Sequence, residues 1–416
     1  MNYPESVRFL YALGNEIKTA KFGLERIRTL LEALGHPERA CRFVHVAGTN
    51  GKGSTSAMIE AALRAAGERT GLYTSPHLAE PTERVRIGGR EVTAERFAEA
   101  FERVHEAAER LLEDGAIDLH PTYFETVTAM AFLLFRDEAC GRVVLEVGLG
   151  GRLDATNVVT PELAVITPVD FDHEQFLGNT IEAIAAEKAG ILKPGVPVVM
   201  ARQRPEAARI IEERARELGC RLARAADASV TDVEVDARGS RFRLNGREAR
   251  CALAGEHQVD NAVAAALALE QLGAPLDGMA EARWPGRLEH VGERPEIILD
   301  GAHNPAGARA LAAYIRRFYA NRRVWLVYGS MRDKAVEEIT GTLFPLASRI
   351  IVTAPHFARA LRPDAVEEVW RGGNVETAAD LAGAIEIVRR EALAEDAVFI
   401  TGSLFVVGEA RALLVQ

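Results

Sequence analysis

Short apolar runs alternate with amphipathic stretches along the first half of this chain. Residues 42–47 (RFVHVA) are typical of a buried strand, and residues 54–66 follow as an Ala/Leu-rich helix that stops at a glycine. Residues 70–74, 142–147 and 163–167 are further short apolar runs that end in polar or glycine-rich turns. Strands that alternate with helices in this way predict an α/β fold with a mostly parallel sheet.

The pattern changes in the middle of the chain and then resumes. Residues 227–253 are short β-like pieces that include an Asn-Gly turn signal. From Glu296 a second α/β series begins in the segments PEIILDGAHN, RVWLVYGSM, SRIIVTAP and DAVFITGSL, each followed by a helical stretch. The turn WPGR just before this series is the best candidate for a hinge. We therefore predict two domains, residues 1–292 and a smaller one at residues 293–416.

The composition is typical of a soluble globular enzyme, with 48% apolar and 26% charged residues among 416. A net charge of −10 argues against a broad basic face for nucleic acid. No apolar stretch is long enough to span a bilayer, and the first residues lack the pattern of a signal peptide. The four cysteines, Cys41, Cys140, Cys220 and Cys251, lie far apart and form no C-x-x-C pair, which argues against a zinc site or a disulfide framework. We expect a cytoplasmic protein that binds neither nucleic acid nor membrane.

The segment HVAGTNGKGS differs from the usual phosphate-binding pattern G-x-x-x-x-G-K-[ST]. Val46 stands five positions before Gly51, and Gly53 separates Lys52 from Ser54. Because the segment follows a predicted strand and precedes a predicted helix, its backbone N–H groups and the helix dipole can point at phosphate. The alternative is a glycine-rich turn with an exposed lysine. The residues predicted to contact phosphate are Gly48, Thr49, Asn50, Gly51, Lys52, Gly53 and Ser54.

Six further motifs follow this loop in a fixed order: YTSPHL, LEVGLGGRLDATN, DHEQFLGNTIEAIAAEKAGILK, HQVDNA, WPGRLE and DGAHNP. Together with GTNGKGS, the set resembles folylpolyglutamate synthases, including bifunctional dihydrofolate synthases, within the Mur-ligase-like superfamily. The resemblance extends from KFGLERI near the start to GSLFVVGEAR near the end. It implies an N-terminal P-loop ATPase-like domain with a mostly parallel sheet and a smaller C-terminal Rossmann-like α/β domain.

Three polar residues each lie just beyond a strand-like run, where an open parallel sheet holds its ligands. They are Ser75, Glu146 and His173. A hydroxyl, a carboxylate and an imidazole are plausible ligands for Mg²⁺, although imidazole is an uncommon one. The resemblance assigns all three positions to the metal and adds a catalytic role for His173. The alternatives are a strand-end surface carboxylate at Glu146 and an ordinary loop histidine at His173.

In the second half of the chain, the resemblance assigns Asn261, Arg287 and Asp300 to ATP and puts His303 beside the phosphates. These residues flank or follow the predicted hinge, so we expect ATP to lie between the domains. Arg287 follows Pro-Gly and could instead form a hinge salt bridge.

A separate group of residues resembles the part of the family site that binds the pterin. These residues are Phe124, Leu153 and Asp154. The ring of Phe124 can stack on a pterin, but an aromatic residue at helical spacing is more often part of the core.

Lys188 lies beside the apolar stripe of a helix predicted over residues 180–192. Burial near a metal would lower the pKa of its amine, and a neutral amine can react with carbon dioxide to form a carbamate. The resemblance indicates carbamylation at this position, so Lys188 and Lys52 are the predicted catalytic lysines. The alternative is a surface lysine paired with a neighbouring acid.

The resemblance implies ATP- and Mg²⁺-dependent addition of L-glutamate to reduced folates through an acyl phosphate, with dihydropteroate as a possible second acceptor. One rival is a Mur ligase of peptidoglycan synthesis, which carries an additional N-terminal nucleotide-sugar domain for which the 47 residues before Gly48 are too few. The other is a nucleotide-dependent switch that performs no ligation. The sequence leaves open the acceptor range, the glutamate chain length and the oligomeric state, for which we expect a monomer.

Overall fold

A computed structural model describes residues 1–14, 23–332, 334–357, 359–370 and 372–415. The chain divides into two compact units. Unit 1 comprises Met1–Thr231, Phe242–Arg250 and Asp260–Ala282, and unit 2 comprises Asp232–Arg241, Cys251–Val259 and Arg283–Gln416. The predicted domain division between residues 292 and 293 stays a prediction. Lys21 and Phe22 of the KFGLERI motif lie outside the described residues.

Unit 1 is built on an eight-stranded sheet with the strand order β4-β3-β2-β5-β1-β6-β7-β8. Its strands are β1 (Arg42–Ala47), β2 (Thr70–Tyr73), β3 (Val85–Ile87), β4 (Arg90–Glu91), β5 (Arg142–Glu146), β6 (Leu163–Ile166), β7 (Val198–Met200) and β8 (Leu222–Arg224). Six neighbouring strands, in the order β2-β5-β1-β6-β7-β8, pair in parallel, and β3 and β4 form an antiparallel edge beside β2.

The helices that lie wholly or mainly in unit 1 are α1 (Tyr3–Ala12), α2 (Glu25–Ala33), α3 (Lys52–Ala65), α4 (Ala94–Glu113), α5 (Tyr123–Asp137), α6 (Glu174–Leu177), α7 (Ile181–Ala189), α8 (Pro205–Glu217) and α9 (His257–Leu272). Several of them bury apolar side chains against the sheet in two hydrophobic clusters. One cluster joins α1, α2, α4 and α5 to β5, and the other joins α7 and α8 to β6 and β7. The central strands bury apolar side chains against helices, and each of these strands therefore corresponds to a continuous apolar run in the sequence.

Short β-strands follow, and their residues are divided between the two units. They are β9 (Val230–Val235), β10 (Ser240–Leu244) and β11 (Arg247–Cys251), with the order β11-β10-β9. The predicted Asn-Gly turn joins β10 to β11, with Asn245 and Gly246 both at positive φ.

Unit 2 contains a six-stranded sheet with the order β12-β13-β17-β14-β15-β16. Its strands are β12 (Glu289–Glu293), β13 (Glu296–Asp300), β14 (Val324–Tyr328), β15 (Arg349–Val352), β16 (Val375–Thr377) and β17 (Ala397–Thr401). Its helices are α10 (Pro305–Phe318), α11 (Val336–Leu343), α12 (Pro363–Val369), α13 (Leu381–Glu391) and α14 (Leu404–Leu414). All strand pairs are parallel except β12 with β13.

The predicted fold class is confirmed: a large, mostly parallel sheet in the N-terminal part and a second α/β unit in the C-terminal part. Five short 3₁₀ segments, Pro37–Arg39, Pro81–Arg84, Ala155–Val158, Asp277–Glu281 and Phe344–Leu346, complete the elements. Within the part of the chain that the structure describes, no helix combines the length and apolar character needed to cross a membrane.

Candidate active site

The glycine-rich segment forms a tight loop between β1 and α3. The loop proper is residues 48–51, because α3 begins at Lys52 and therefore includes Gly53 and Ser54 in its first turn. The backbone N–H groups of Thr49 and Asn50 donate to the carbonyl of Pro168, at 2.9 and 3.2 Å. The loop is thus fastened to the segment after β6, and the amino end of α3 is presented at the carboxyl end of the sheet, where parallel sheets bind ligands.

Two glycines of the loop are required by close neighbours. A Cβ on Gly48 would overlap the side chain of Thr167. Gly51 has a φ of 81°, and a Cβ there would overlap the amide of Asn261. The same contact brings Asn261 of α9 against the loop, and its role in nucleotide binding stays a prediction.

Two lysines approach this loop. The Lys52 ammonium folds back to donate to the carbonyl of Thr49 at 3.1 Å. Lys188 of α7, with only 4% of its surface exposed, donates to the carbonyl of Gly48 at 2.8 Å. Lys188 is therefore a buried residue beneath the loop, and the alternative of a surface lysine does not agree with its position.

Burial, together with the smaller effect of the Lys52 charge, lowers the pKa of Lys188 to about 7. The carboxylates of Asp172 and Asp154 act in the opposite direction. A substantial fraction of Lys188 is consequently a neutral amine near pH 7, which is the form that reacts with carbon dioxide.

Asp154 is the centre of a buried hydrogen-bond network in the loop after β5. Its carboxylate accepts from the backbone N–H of Leu149 at 2.8 Å and from the hydroxyl of Thr156 at 2.5 Å. Burial raises the pKa of the Asp154 carboxyl, and these hydrogen bonds oppose the shift. His45 on β1 donates from Nε2 to the oxygen of Thr156 at 2.9 Å, since the hydroxyl proton of Thr156 is already directed at Asp154. The network fixes the loop around Leu153, which is half-buried.

The buried His45 is expected to make the folded protein less stable in acid. Burial, together with the smaller effect of the Lys193 charge, lowers the pKa of His45 to about 3. The folded protein therefore holds this ring neutral. Below the ordinary histidine pKa of 6.5, the unfolded chain binds a proton that the folded chain does not. The free energy of unfolding should therefore fall by up to about 1.4 kcal/mol per pH unit between pH ~6.5 and pH ~4 through this residue.

The His45→Gln variant keeps a donor for Thr156 but cannot be protonated. We expect its free energy of unfolding, measured by urea titration, to depend less steeply on pH by about one proton. Identical slopes for His45→Gln and the wild type would show that His45 titrates normally in the folded protein.

The structure brings Ser75 and Glu146 together at the ends of β2 and β5. The backbone N–H of Ser75 donates to Oε2 of Glu146 at 3.2 Å, and Glu146 is buried. Among the described residues the buried hydroxyl of Ser75 has no hydrogen-bond partner. His173 lies in the segment after β6, at positive φ, with its Nε2 3.8 Å from a carboxylate oxygen of Asp172. Ser75 and Glu146 are therefore in contact through the Ser75 backbone, while His173 is associated with Asp172.

Phe124, near the start of α5, is half-buried in the cluster of apolar residues around β5. Its ring lies against Gly148, where an added Cβ would overlap it, and 6.1 Å from the ring of Tyr73. The packed part of the ring thus belongs to the core, as the alternative interpretation expected.

In unit 2, Asp300 at the end of β13 organises the turn that contains Arg287. Its carboxylate accepts from the backbone N–H groups of Leu288 and Ala302, both at 3.0 Å. Burial raises the pKa of the Asp300 carboxyl, while the nearby Arg287 charge opposes the shift. Asp300 is therefore partly a structural residue that holds two turns together.

The guanidinium of Arg287 lies over Gly301, where an added Cβ would overlap it, and donates to the carbonyl of Gly286 at 3.1 Å. His303 has its Nδ1 2.7 Å from the carbonyl of Gly301. Unit 2 thus brings the predicted residues Arg287, Asp300 and His303 into one cluster. His257 is a neighbour that sequence reasoning missed: burial lowers its pKa to about 4, and the charge of Arg287 contributes.

Asp172 is a second missed residue, close enough to Lys188 to affect its pKa. The sequence offers one indication of this role, because Asp172 is an acidic residue directly before the predicted ligand His173. The backbone carbonyl of Pro168 could not be found from a side-chain pattern.

Comparisons with known proteins agree with this geometry. A Mur ligase middle domain matches residues 46–269, and a Mur ligase glutamate ligase domain matches residues 286–404. The chain is 37% identical over 408 residues to a dihydrofolate synthase/folylpolyglutamate synthase of Bacillus subtilis, covering 94% of each chain. It is 35% identical to a folylpolyglutamate synthase of Lacticaseibacillus casei, covering 100% of this chain and 99% of the other. A folylpolyglutamate synthase of Mycobacterium tuberculosis, solved in complex with ADP and AMPPCP, superposes with a TM-score of 0.91 at 32% identity, covering 100% of this chain and 99% of that one.

Proposed function

We infer that this chain is an ATP-dependent ligase that joins L-glutamate to folates, because it belongs to the folylpolyglutamate synthase and dihydrofolate synthase family. The observation that best supports this function is the phosphate loop and its two lysines. Lys52 donates to the carbonyl of Thr49, and the buried Lys188 donates to the carbonyl of Gly48. A Mur-type ligase of peptidoglycan synthesis is not favoured, since the relatives that match nearly the whole chain are named for folate ligation. A nucleotide switch would need neither a glutamate ligase domain nor folate.

The chemistry explains why ATP is needed. A carboxylate is a poor electrophile, because a nucleophile must add to an anion that has no leaving group. Transfer of the γ-phosphoryl group to the folate carboxylate gives an acyl phosphate, and attack by the glutamate amine then releases phosphate. The chain supplies charge compensation for the transferring group through Lys52 and the amino end of α3.

We propose that Ser75, Glu146 and His173 hold Mg²⁺ near the phosphates. A hydroxyl and a carboxylate oxygen suit this hard cation, Glu146 contacts the backbone of Ser75, and the Ser75 hydroxyl, which has no hydrogen-bond partner among the described residues, supports a ligand at that position. When bound, Mg²⁺ neutralises phosphate charge in the transition state. Glu146 is preoriented for this task by the backbone N–H of Ser75.

We propose that Lys188 is carbamylated. The neutral Nζ attacks the carbon of CO₂, a nitrogen–carbon bond forms, and one proton leaves the nitrogen for solvent. The product is an anion in place of a cation, and it removes the repulsion between Lys188 and Lys52. A pKa of about 7 supplies the reactive amine at neutral pH.

The nucleotide also needs contacts beyond the loop, and we propose Asn261, Arg287, Asp300 and His303 for them. Arg287→Ala is expected to raise the KM for ATP about tenfold, because a charged hydrogen bond to phosphate contributes about 1.5 kcal/mol. The measurement is initial rate against ATP at saturating folate and glutamate. Arg309→Ala removes an exposed arginine of the same unit and should leave the KM unchanged. An unaltered KM for Arg287→Ala would make Arg287 a structural residue of its turn.

The finer substrate range is proposed from the relatives. Since the Bacillus subtilis protein is named for both activities, we propose that this chain accepts dihydropteroate as well as tetrahydrofolate, with Phe124, Leu153 and Asp154 on the pterin side. The test is glutamate-dependent phosphate release with ATP and Mg²⁺, compared between the two acceptors. Release with both supports the bifunctional enzyme, release with tetrahydrofolate alone limits it to polyglutamylation, and release with neither contradicts the proposed function. The monomeric state and the cytoplasmic location stay predictions.

A further inference from the structure

A second group of ligand-forming side chains lies in unit 1, outside the site described above. His105 and Glu109 lie one turn apart on α4, on the same face of the helix, and His120 precedes α5. Their ligand atoms all lie within 4.8 Å of one another. A carboxylate oxygen of Glu109 is 3.7 Å from Nδ1 of His105 and 3.8 Å from Nε2 of His120.

The imidazole of His120 is oriented as metal ligands are. Its Nδ1 lies 2.8 Å from the carbonyl of Pro121, so this nitrogen carries the proton and Nε2 keeps its lone pair. In metal sites the second ring nitrogen commonly donates to a carbonyl in this way, which fixes both the tautomer and the ring.

Aromatic packing holds His105 in place. Its ring stacks on Phe101 at 5.5 Å with an interplanar angle of 11°, and Phe9 lies 4.6 Å away. Phe9 also contacts His120 at 5.5 Å. The imidazoles therefore have little freedom to turn away from each other. Both Nδ1 of His105 and Nε2 of His120 are buried atoms that lack a hydrogen-bond partner within the described part of the chain.

Buried polar atoms without hydrogen-bond partners cost free energy. A cation in their midst removes this cost. Two imidazoles and one carboxylate are a set that zinc binds, with a fourth position left for water. Ligands about 2.1 Å from a tetrahedral ion are about 3.4 Å apart. The two nitrogen–oxygen distances of 3.7 and 3.8 Å need to contract by only a few tenths of an ångström, whereas the two nitrogens, which lie within 4.8 Å of each other, approach by up to about 1.4 Å.

We propose that His105, Glu109 and His120 form a site for a divalent cation of the zinc class, with water as the fourth ligand. The bound ion joins α4 to the segment that leads into α5. Because α5 carries Phe124, the ion stabilises the part of unit 1 next to the proposed pterin side. The site stands apart from the proposed ligase chemistry, and its test does not depend on activity.

The experiment uses the untagged, chelator-treated full-length protein in excess Mg²⁺, titrated with Zn²⁺ against a chromophoric chelator. We expect one tight equivalent per chain and a rise in Tm on addition of Zn²⁺. Glu109→Gln and His120→Gln should weaken this binding by more than about 100-fold. Co²⁺ should give the intense visible absorption of a tetrahedral site in the wild type and lose it in Glu109→Gln.

Two control variants make the result specific. Glu106→Gln changes an exposed acid on the same helix and should retain the tight equivalent. Glu146→Gln should also retain it, which would separate this ion from one in the proposed Mg²⁺ site. Glu109 is half-exposed, so its replacement by glutamine leaves the fold intact and the binding result can be interpreted directly. The proposal is overturned if the wild type binds no stoichiometric Zn²⁺, or if Glu109→Gln binds it as tightly as Glu106→Gln.

Discussion

Lys52→Ala is expected to lower kcat/KM for ligation by about 1,000-fold while leaving the fold intact. Lys52 is the one cation within the sequence of the phosphate loop, in a protein with a net charge of −10. Its loss removes the one positively charged side chain of the loop that compensates the charge on the transferring phosphoryl group. Its hydrogen bond is to the backbone carbonyl of Thr49 and its side chain is only half-buried, so its removal leaves little of the core disturbed. Initial rates of phosphate release and the thermal midpoint measure the two parts of this expectation.

The matched control is Arg64→Ala, which removes a cation from the last turn of the same helix. Its ion pairs with Glu60 and Glu281 are peripheral to the loop, so ligation should continue at a normal rate. A folded Lys52→Ala enzyme with the turnover of the wild type would contradict the assignment of the phosphate loop.

Lys188→Ala is expected to be nearly inactive, at least about 100-fold below the wild type, and to regain part of its activity in formate or acetate. The reason is the buried position of Nζ beneath Gly48, where the proposed carbamate puts a negative charge. Truncation leaves a space that a small carboxylic acid can enter, and its oxygens stand in for those of the carbamate. Ligation rates with and without added acid measure the rescue.

Lys193→Ala is the control for Lys188→Ala. Lys193 is partly buried and, like Lys188, donates to a backbone carbonyl, in this case that of Asn157. Burial lowers the pKa of Lys193 as well. Its variant should remain active and should not respond to formate. An active Lys188→Ala enzyme, together with a mass for the wild type in bicarbonate that shows no added carbon dioxide, would rule out the carbamate.

The strand–loop–helix unit that carries the site could be predicted from sequence because its signals are local. A run of apolar residues, three glycines and an Ala-rich stretch specify β1, the loop and α3 without reference to the rest of the chain. The predicted helix at 54–66 begins two residues earlier in the structure, at Lys52, because Gly51 in the left-handed region forms its amino-terminal boundary.

The helix that carries Lys188 shows why other details could not be predicted. It was expected over residues 180–192 but ends at Ala189. The backbone N–H of Arg152 donates to the carbonyl of Glu187 at 2.8 Å, and Gly151 packs so closely that a Cβ would lie 2.7 Å from the same oxygen. The end of the helix is thus capped by a loop distant in sequence, and no local pattern reports such a contact.

The buried polar network around Asp154 is a further example. The sequence indicates Asp154 as a residue of the pterin side, and its role there stays a prediction. Its hydrogen bonds to Leu149 and Thr156 depend on how the loop after β5 folds, and the partner His45 lies on a different strand. Tertiary structure decides which buried polar groups meet, and the sequence supplies only their types.

The measurement that tests the central claim most directly follows the oxygen of the folate carboxylate. Tetrahydrofolate labelled with ¹⁸O in its glutamate side-chain carboxylate is incubated with the enzyme, ATP, Mg²⁺ and L-glutamate. Ligation through an acyl phosphate predicts that each phosphate released carries one ¹⁸O and that the folate gains one glutamyl residue. Unlabelled phosphate, or phosphate release without a lengthened folate, would contradict ATP-dependent ligation by this chain.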